Sequence, residues 1–232
     1  MTTTTTPTAA PSVAPVRGVA RWTGVAYLAM FALAIFANFV AIEGLVVPGD
    51  AAATTDALAG QLGVFRLAIG AFLVIVLLDL GIAWGLDVVF RRVDAGMSRA
   101  AAWIRVAYSA MLGVAVSLLA AVPRLVEAGS EGEVLRAIDS FQDVWQVALA
   151  VFGIHLVLVG VLVVRSGRAP RALGWLVAAA GAAYVADTFA HVLLADYGAI
   201  ASVALVVVAI PSMIGEFWLA LWLLTSRRTE TN

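Results

Sequence analysis

Six apolar stretches, each near the ~20 residues that cross a ~30 Å hydrocarbon layer as an α-helix, leave this chain few ways to fold. They run at about 22–42, 64–90, 101–122, 143–164, 172–195 and 199–225. Inside lipid every backbone N–H and C=O must be satisfied within the protein, and a helix does this within one segment. The predicted fold is therefore all-α, a polytopic transmembrane bundle of six spanning helices forming one domain over 19–228. The Thr-, Ala- and Pro-rich stretch through Val16 carries no charge and too little apolar surface to offset its ordering, so 1–18 is predicted to be a disordered cytoplasmic tail. Residues 229–232 form a second short tail.

Arginine placement sets the expected orientation, because positive charge is retained in cytoplasmic loops. With both termini inside, the cytoplasmic segments hold Arg17, Arg21, Arg91, Arg92, Arg99, Arg165, Arg168, Arg171, Arg227 and Arg228, leaving Arg66, Arg124 and Arg136 on the outer side. The expected location is a bacterial plasma membrane, crossed several times. Two outer segments have structure of their own. Asp50 can cap a short helix through Gln61, either a plain surface connector or a helix with Ala53, Ala57 and Leu58 on the membrane surface. Val126, Val134, Leu135 and Ile138, within Pro123 to Gln142, are spaced for a second interfacial helix.

Composition excludes several functions. At 12% charged residues and a net charge of −1, the chain has no basic footprint for nucleic acid. With no cysteine, thiolate chemistry, Cys-ligated metals and disulfides are absent. A haem between His155 and His191 meets a separation of ~10 Å along the membrane normal, and zinc on Asp187, His191 and His155 meets the same gap. No cofactor and no metal is expected. No hydrolase, metalloprotease, P-loop or dinucleotide signature stands in a supporting context, so an enzyme is not expected.

The ionisable residues within the spans are the functional candidates, since each is costly there unless partnered or hydrated. They sort into two layers. In the inner one Arg105 is predicted to bridge to Glu216, with Asp79 as a second partner; the plain alternative is a triad that only fixes helix packing. In the outer one Tyr184, Asp187 and His191 share a face of the fifth span, with Asp187 accepting from the imidazole either as a proton-responsive pair or as a settled structural hydrogen bond. Asn38 is the uncharged member, high in the first span. Pro211 is predicted to kink or interrupt the sixth span above Glu216, as in transporters with broken helices, or only to bend it. Trp22, Trp103, Trp175 and Trp222, near the inner ends of spans, and Trp145, near an outer end, read as an interfacial belt. The small residues from Ala178 to Ala183, with Gly181, would admit a neighbouring helix closely.

Several strings in order resemble one family: Val47-Pro48-Gly49-Asp50, Phe65-Arg66, Arg165-Ser166-Gly167 with Pro170, Leu173-Gly174, Tyr184-Val185-Ala186-Asp187, Pro211, Gly215-Glu216 and Leu221-Trp222. Together they resemble the bacterial membrane-protein family called domain of unknown function 4386. The resemblance implies a fold and a location, not a chemistry, and puts Arg66, Asp187 and Glu216 on family pattern positions. The leading expectation is a bundle that binds or transports a small solute or ion through titratable intramembrane residues. The rivals are a scaffold or sensor acting through a protein partner and, third, an intramembrane enzyme. The lipid bilayer is the expected surrounding, nucleic acid is not a partner, and a homo-oligomer is compatible with the pattern.

Overall fold

The computed structural model describes residues 16–225. The two predicted tails lie wholly or mostly outside the described residues, as do Arg227 and Arg228. Within that range the chain is helical with no strand: α1 Val16–Leu45, α2 Ala51–Gly60, α3 Leu62–Phe90, α4 Ala95–Leu119, α5 Val122–Glu127, α6 Glu131–Ser166, α7 Arg171–Leu193 and α8 Ala201–Thr225, with one 3₁₀ turn at Tyr197–Ala199. Six helices (α1, α3, α4 with its extension α5, α6, α7 and α8) are long and apolar enough to cross a membrane. They alternate in direction, so Val16 and Thr225 share one end of the bundle, here the terminal end; α2, α5 and the 3₁₀ turn lie at the far end.

The six helices pack as a closed ring in chain order. α1 meets α3, α3 meets α4, α4 meets α6, α6 meets α7, α7 meets α8, and α8 returns to α1. Asp94 and Asp50 start α4 and α2 by accepting from the backbone N–H of Met97 and Ala53, each at 2.9 Å. A carboxylate there satisfies one of the orphan donors of a first turn. Gly167, at φ 62°, closes α6 in the left-handed conformation that glycine adopts without strain.

The α6–α7 seam is the most extensive contact and is built from four glycines. A Cβ added at Gly153 would stand 2.5 Å from the carbonyl oxygen of Gly181, and one at Gly160 would stand 2.5 Å from that of Gly174. The backbones therefore touch directly, as small residues permit between membrane helices, and the close approach predicted around Gly181 is present.

Four expectations are corrected. The helix predicted to lie on the membrane within Pro123 to Gln142 is instead split between α5 and the first turns of α6, a helix of 36 residues. At 1.5 Å per residue it runs about 54 Å, far beyond a ~30 Å hydrocarbon layer. Its far-end turns bury Val134, Ile138 and Phe141 and pack on α2, whose Leu58 is likewise buried. The two apolar stripes cover each other rather than lipid. Pro211 does not break α8, which runs from Ala201 to Thr225; one lost backbone bond is tolerated, and Ser212 Oγ donates to the Val208 carbonyl beside it at 2.6 Å. The break in regular α-geometry is in α1, where Ile35–Ile42 winds as a π-helix and the Glu43 N–H reaches the Asn38 carbonyl. The tryptophans also divide: Trp22, Trp103 and Trp175 are exposed, as a belt requires, but Trp222 is buried and stacked on Phe90, and Trp145 faces the bundle interior.

Candidate functional site

One layer of the ring gathers the buried polar groups. Tyr27 of α1, Asp79 of α3, Arg105 of α4, His155 of α6 and Glu216 of α8 each stand about nine to eleven residues from the terminal-end residue of their helix, roughly 14–17 Å along it. All five are buried. Arg105 is the hub, its side chain wholly enclosed.

The guanidinium uses every N–H it has. Nε donates to Asp79 Oδ1 at 2.9 Å and one terminal nitrogen donates to the same oxygen at 2.5 Å; that nitrogen also points at Met30 Sδ at 3.5 Å. The other terminal nitrogen donates to the Tyr27 hydroxyl at 2.9 Å and to His155 Nε2 at 3.1 Å. Arginine has only donors, so His155 Nε2 must accept. Its Nδ1 lies 2.9 Å from the Ala101 carbonyl, which can only accept, so the ring is the neutral tautomer with its proton on Nδ1. The guanidinium carbon also lies 5.0 Å from the Tyr27 ring centre and 5.3 Å from that of Phe152, within cation–π range.

This reverses the predicted order of partners. Asp79 forms the ion pair because α3 and α4 are adjacent in the ring. Glu216 comes from α8, which packs on α1 and α7 rather than on α4, and its carboxylate is not bonded to Arg105. Asp79 Oδ2 is buried without a hydrogen-bond partner, as is Asp87 Oδ1 near the terminal end, a residue sequence reasoning passed over.

Beside the hub is a half-open cavity of about 230 Å³, lined from all six long helices. Asp79, Arg105 and Glu216 are among its lining residues, with Asn38, Tyr108, Tyr184, Trp145 and Ser212; Phe31, Phe39, Phe72 and Phe152 line it too. Trp145 Nε1 donates to the Tyr108 hydroxyl at 3.4 Å. The π segment of α1 carries Asn38 to this wall, and its amide donates to Glu43 Oε1 at 2.9 Å. Short π-helical stretches recur at functional sites because they reorient side chains and backbone.

The outer triad does not assemble as predicted. Tyr184 turns into the cavity, its ring edge-on to Phe152 at 5.7 Å. Asp187 accepts from Gln146 Nε2 at 2.9 Å and from the Tyr197 hydroxyl at 2.8 Å, not from His191. His191 is exposed and packs against the Tyr197 ring at 4.7 Å. Partial burial and the Asp187 carboxylate push the Tyr197 hydroxyl up to about 12, so it donates as a neutral phenol at ordinary pH. With Thr188 Oγ1 bonded to the Gln146 carbonyl at 3.0 Å, these contacts pin α7 to α6 at the far end.

Arg66 stands apart from both groups. It pairs with Glu127 at 2.6 Å, the two side chains 56% and 57% exposed. Surface pairs of this kind contribute about 0–1 kcal/mol, so Arg66→Ala is expected to leave thermal unfolding of the purified protein within about 1 kcal/mol of the parent; a larger loss would give this pair a structural role.

No curated protein and no solved structure matches the chain. The model of a family described as a domain of unknown function (DUF4386) matches residues 22–226, and the chain belongs to that family.

Proposed function

We propose that this protein is a multi-pass protein of a bacterial plasma membrane, with both termini cytoplasmic, that binds a small solute in its central cavity and moves it across the membrane. The observation that carries the reading is the cavity itself: about 230 Å³, open to one side, with a contribution from each of the six long helices. A cluster placed only to fix helix packing would be expected to be closed over by side chains, since interiors are packed to near-crystalline density. The six helices also form a ring whose members meet mainly their chain neighbours, so the cavity can change shape if one helix tilts. The reading is of binding and transport rather than catalysis.

The test uses the absence of native cysteine. Ser212→Cys and Tyr184→Cys line the cavity, and Leu219→Cys, at a fully buried position, is the control. In vesicles the membrane-permeant N-ethylmaleimide is expected to label both cavity positions and spare the control. Protection of Ser212→Cys and Tyr184→Cys would favour a sealed structural core and the scaffold reading.

A further inference from the structure

The cavity's occupant follows from which polar atoms already have partners. All five N–H groups of Arg105 are directed at atoms of the protein, so the site offers an anion no free guanidinium donor. Acceptors are in the opposite position. Asp79 Oδ2 is buried and unpartnered, and among the described residues no hydrogen bond reaches the Glu216 carboxylate, a residue 6% exposed that lines the same space. Arg105 balances one of these two carboxylates. With both ionised, the cavity is left one negative charge in excess, and an uncompensated charge at this depth costs several kcal/mol.

The walls supply the complementary surface. Phe72, Tyr108, Trp145 and Tyr184 line the cavity, and aromatic faces attract cations. Metal ions such as Ca²⁺ want six or more oxygens around them, which two carboxylates and a few hydroxyls do not provide. We infer that the cavity takes an organic monocation, an ammonium carrying apolar or aromatic groups, with its charge at Glu216 and its apolar part against the aromatic wall. The inference rests on the solute-binding reading above and names its substrate class.

The route in is sideways. Ile35 and Phe39 of the π segment and Met213 of α8 line the cavity and yet are 45%, 52% and 44% exposed on the bundle surface. The opening therefore lies between the far halves of α1 and α8. Nearer the terminal end the same helices close together, with Gly24 against the Ala220 backbone and Phe31 edge-on to Phe217. An opening framed by apolar side chains on the lipid-facing side suits a cation that partitions first into the bilayer.

The experiment compares three ligands of one shape on the unmodified protein in dodecyl maltoside: benzyltrimethylammonium, its uncharged carbon isostere neopentylbenzene, and the anion benzylsulfonate. Isothermal titration is expected to show benzyltrimethylammonium binding at least tenfold more tightly than either of the others. Glu216→Gln, checked for an unchanged elution profile, is expected to abolish that preference, and Glu216→Asp to retain it. Tighter binding of the anion, or equal binding of the cation and the isostere, overturns the charge assignment while leaving a solute cavity in place. Binding of none of the three, together with protection of Ser212→Cys, overturns both.

Discussion

Arg105→Met is expected to cost about 3–5 kcal/mol of stability, the range for removing one partner of a buried ion pair, and to show as a large fall in thermal unfolding temperature and in folded yield. The guanidinium joins four helices at this level: Asp79 on α3, Tyr27 and Met30 on α1, His155 on α6, and its own α4. Removing it strands a carboxylate that is 1% exposed and already has one unsatisfied oxygen. It also leaves the neutral His155 Nε2 and the Tyr27 hydroxyl without their charged partner. The double variant Asp79→Leu/Arg105→Met removes the stranded charge and is expected to recover most of the loss, because an apolar replacement of a whole buried pair is often neutral or better. Arg105→Met unfolding within 1 kcal/mol of the parent would mean that the hub does not hold the ring together. The same pair of variants separates stability from function: a double variant that folds but no longer distinguishes cation from isostere would show the pair shaping the cavity.

Much of this arrangement was legible in the sequence, and the misses have physical causes. Six apolar runs gave the six helices, because hydrocarbon thickness fixes their length. The Asp50 cap was read correctly because it depends on one side chain and its own next turn. The hub was read only in part. Arg105, Asp79 and Glu216 were grouped by depth, but Tyr27 was missed because the first helix was taken to start near residue 22 rather than at Val16, an error of more than one turn. Counted from Val16, Tyr27 falls in the same layer as the other three, whereas His155, nine residues from the predicted inner end at 164, already shares that depth, so boundary error accounts for Tyr27 alone. Which carboxylate reaches Arg105 depends instead on ring order, set by side-chain packing over the whole bundle. Asp187 was misassigned for a related reason. Helical spacing put His191 one turn away, but a rotamer reaching Gln146 on α6 and Tyr197 in the next turn satisfies both carboxylate oxygens. The π segment gives no local warning, since Asn38 alone does not distinguish i→i+5 from i→i+4 bonding.

Gly160→Val should badly damage the α6–α7 seam, and its effect is expected to reach the cavity. A Cβ at this position would stand 2.5 Å from the Gly174 carbonyl oxygen, 2.6 Å from the Ala178 nitrogen and 2.8 Å from the Ala178 Cβ. Two of the three obstacles are backbone, so no rotamer change relieves them and the helices must separate. Overpacking of this kind costs about 1–3 kcal/mol, occasionally more, and the branched side chain adds volume beyond the Cβ. Because α7 holds Tyr184 in the cavity wall and packs along α8, which carries Glu216, parting α6 from α7 displaces two walls of the site at once. Gly160→Val is thus expected to lower the unfolding temperature and to weaken benzyltrimethylammonium binding, whereas Gly70→Val, at a position where a Cβ meets nothing within 4 Å, should leave both nearly as they are. If Gly160→Val lost stability but bound the cation with parental affinity, α7 would not be a wall that the ligand uses, and the site would have to lie between α1, α3, α4, α6 and α8.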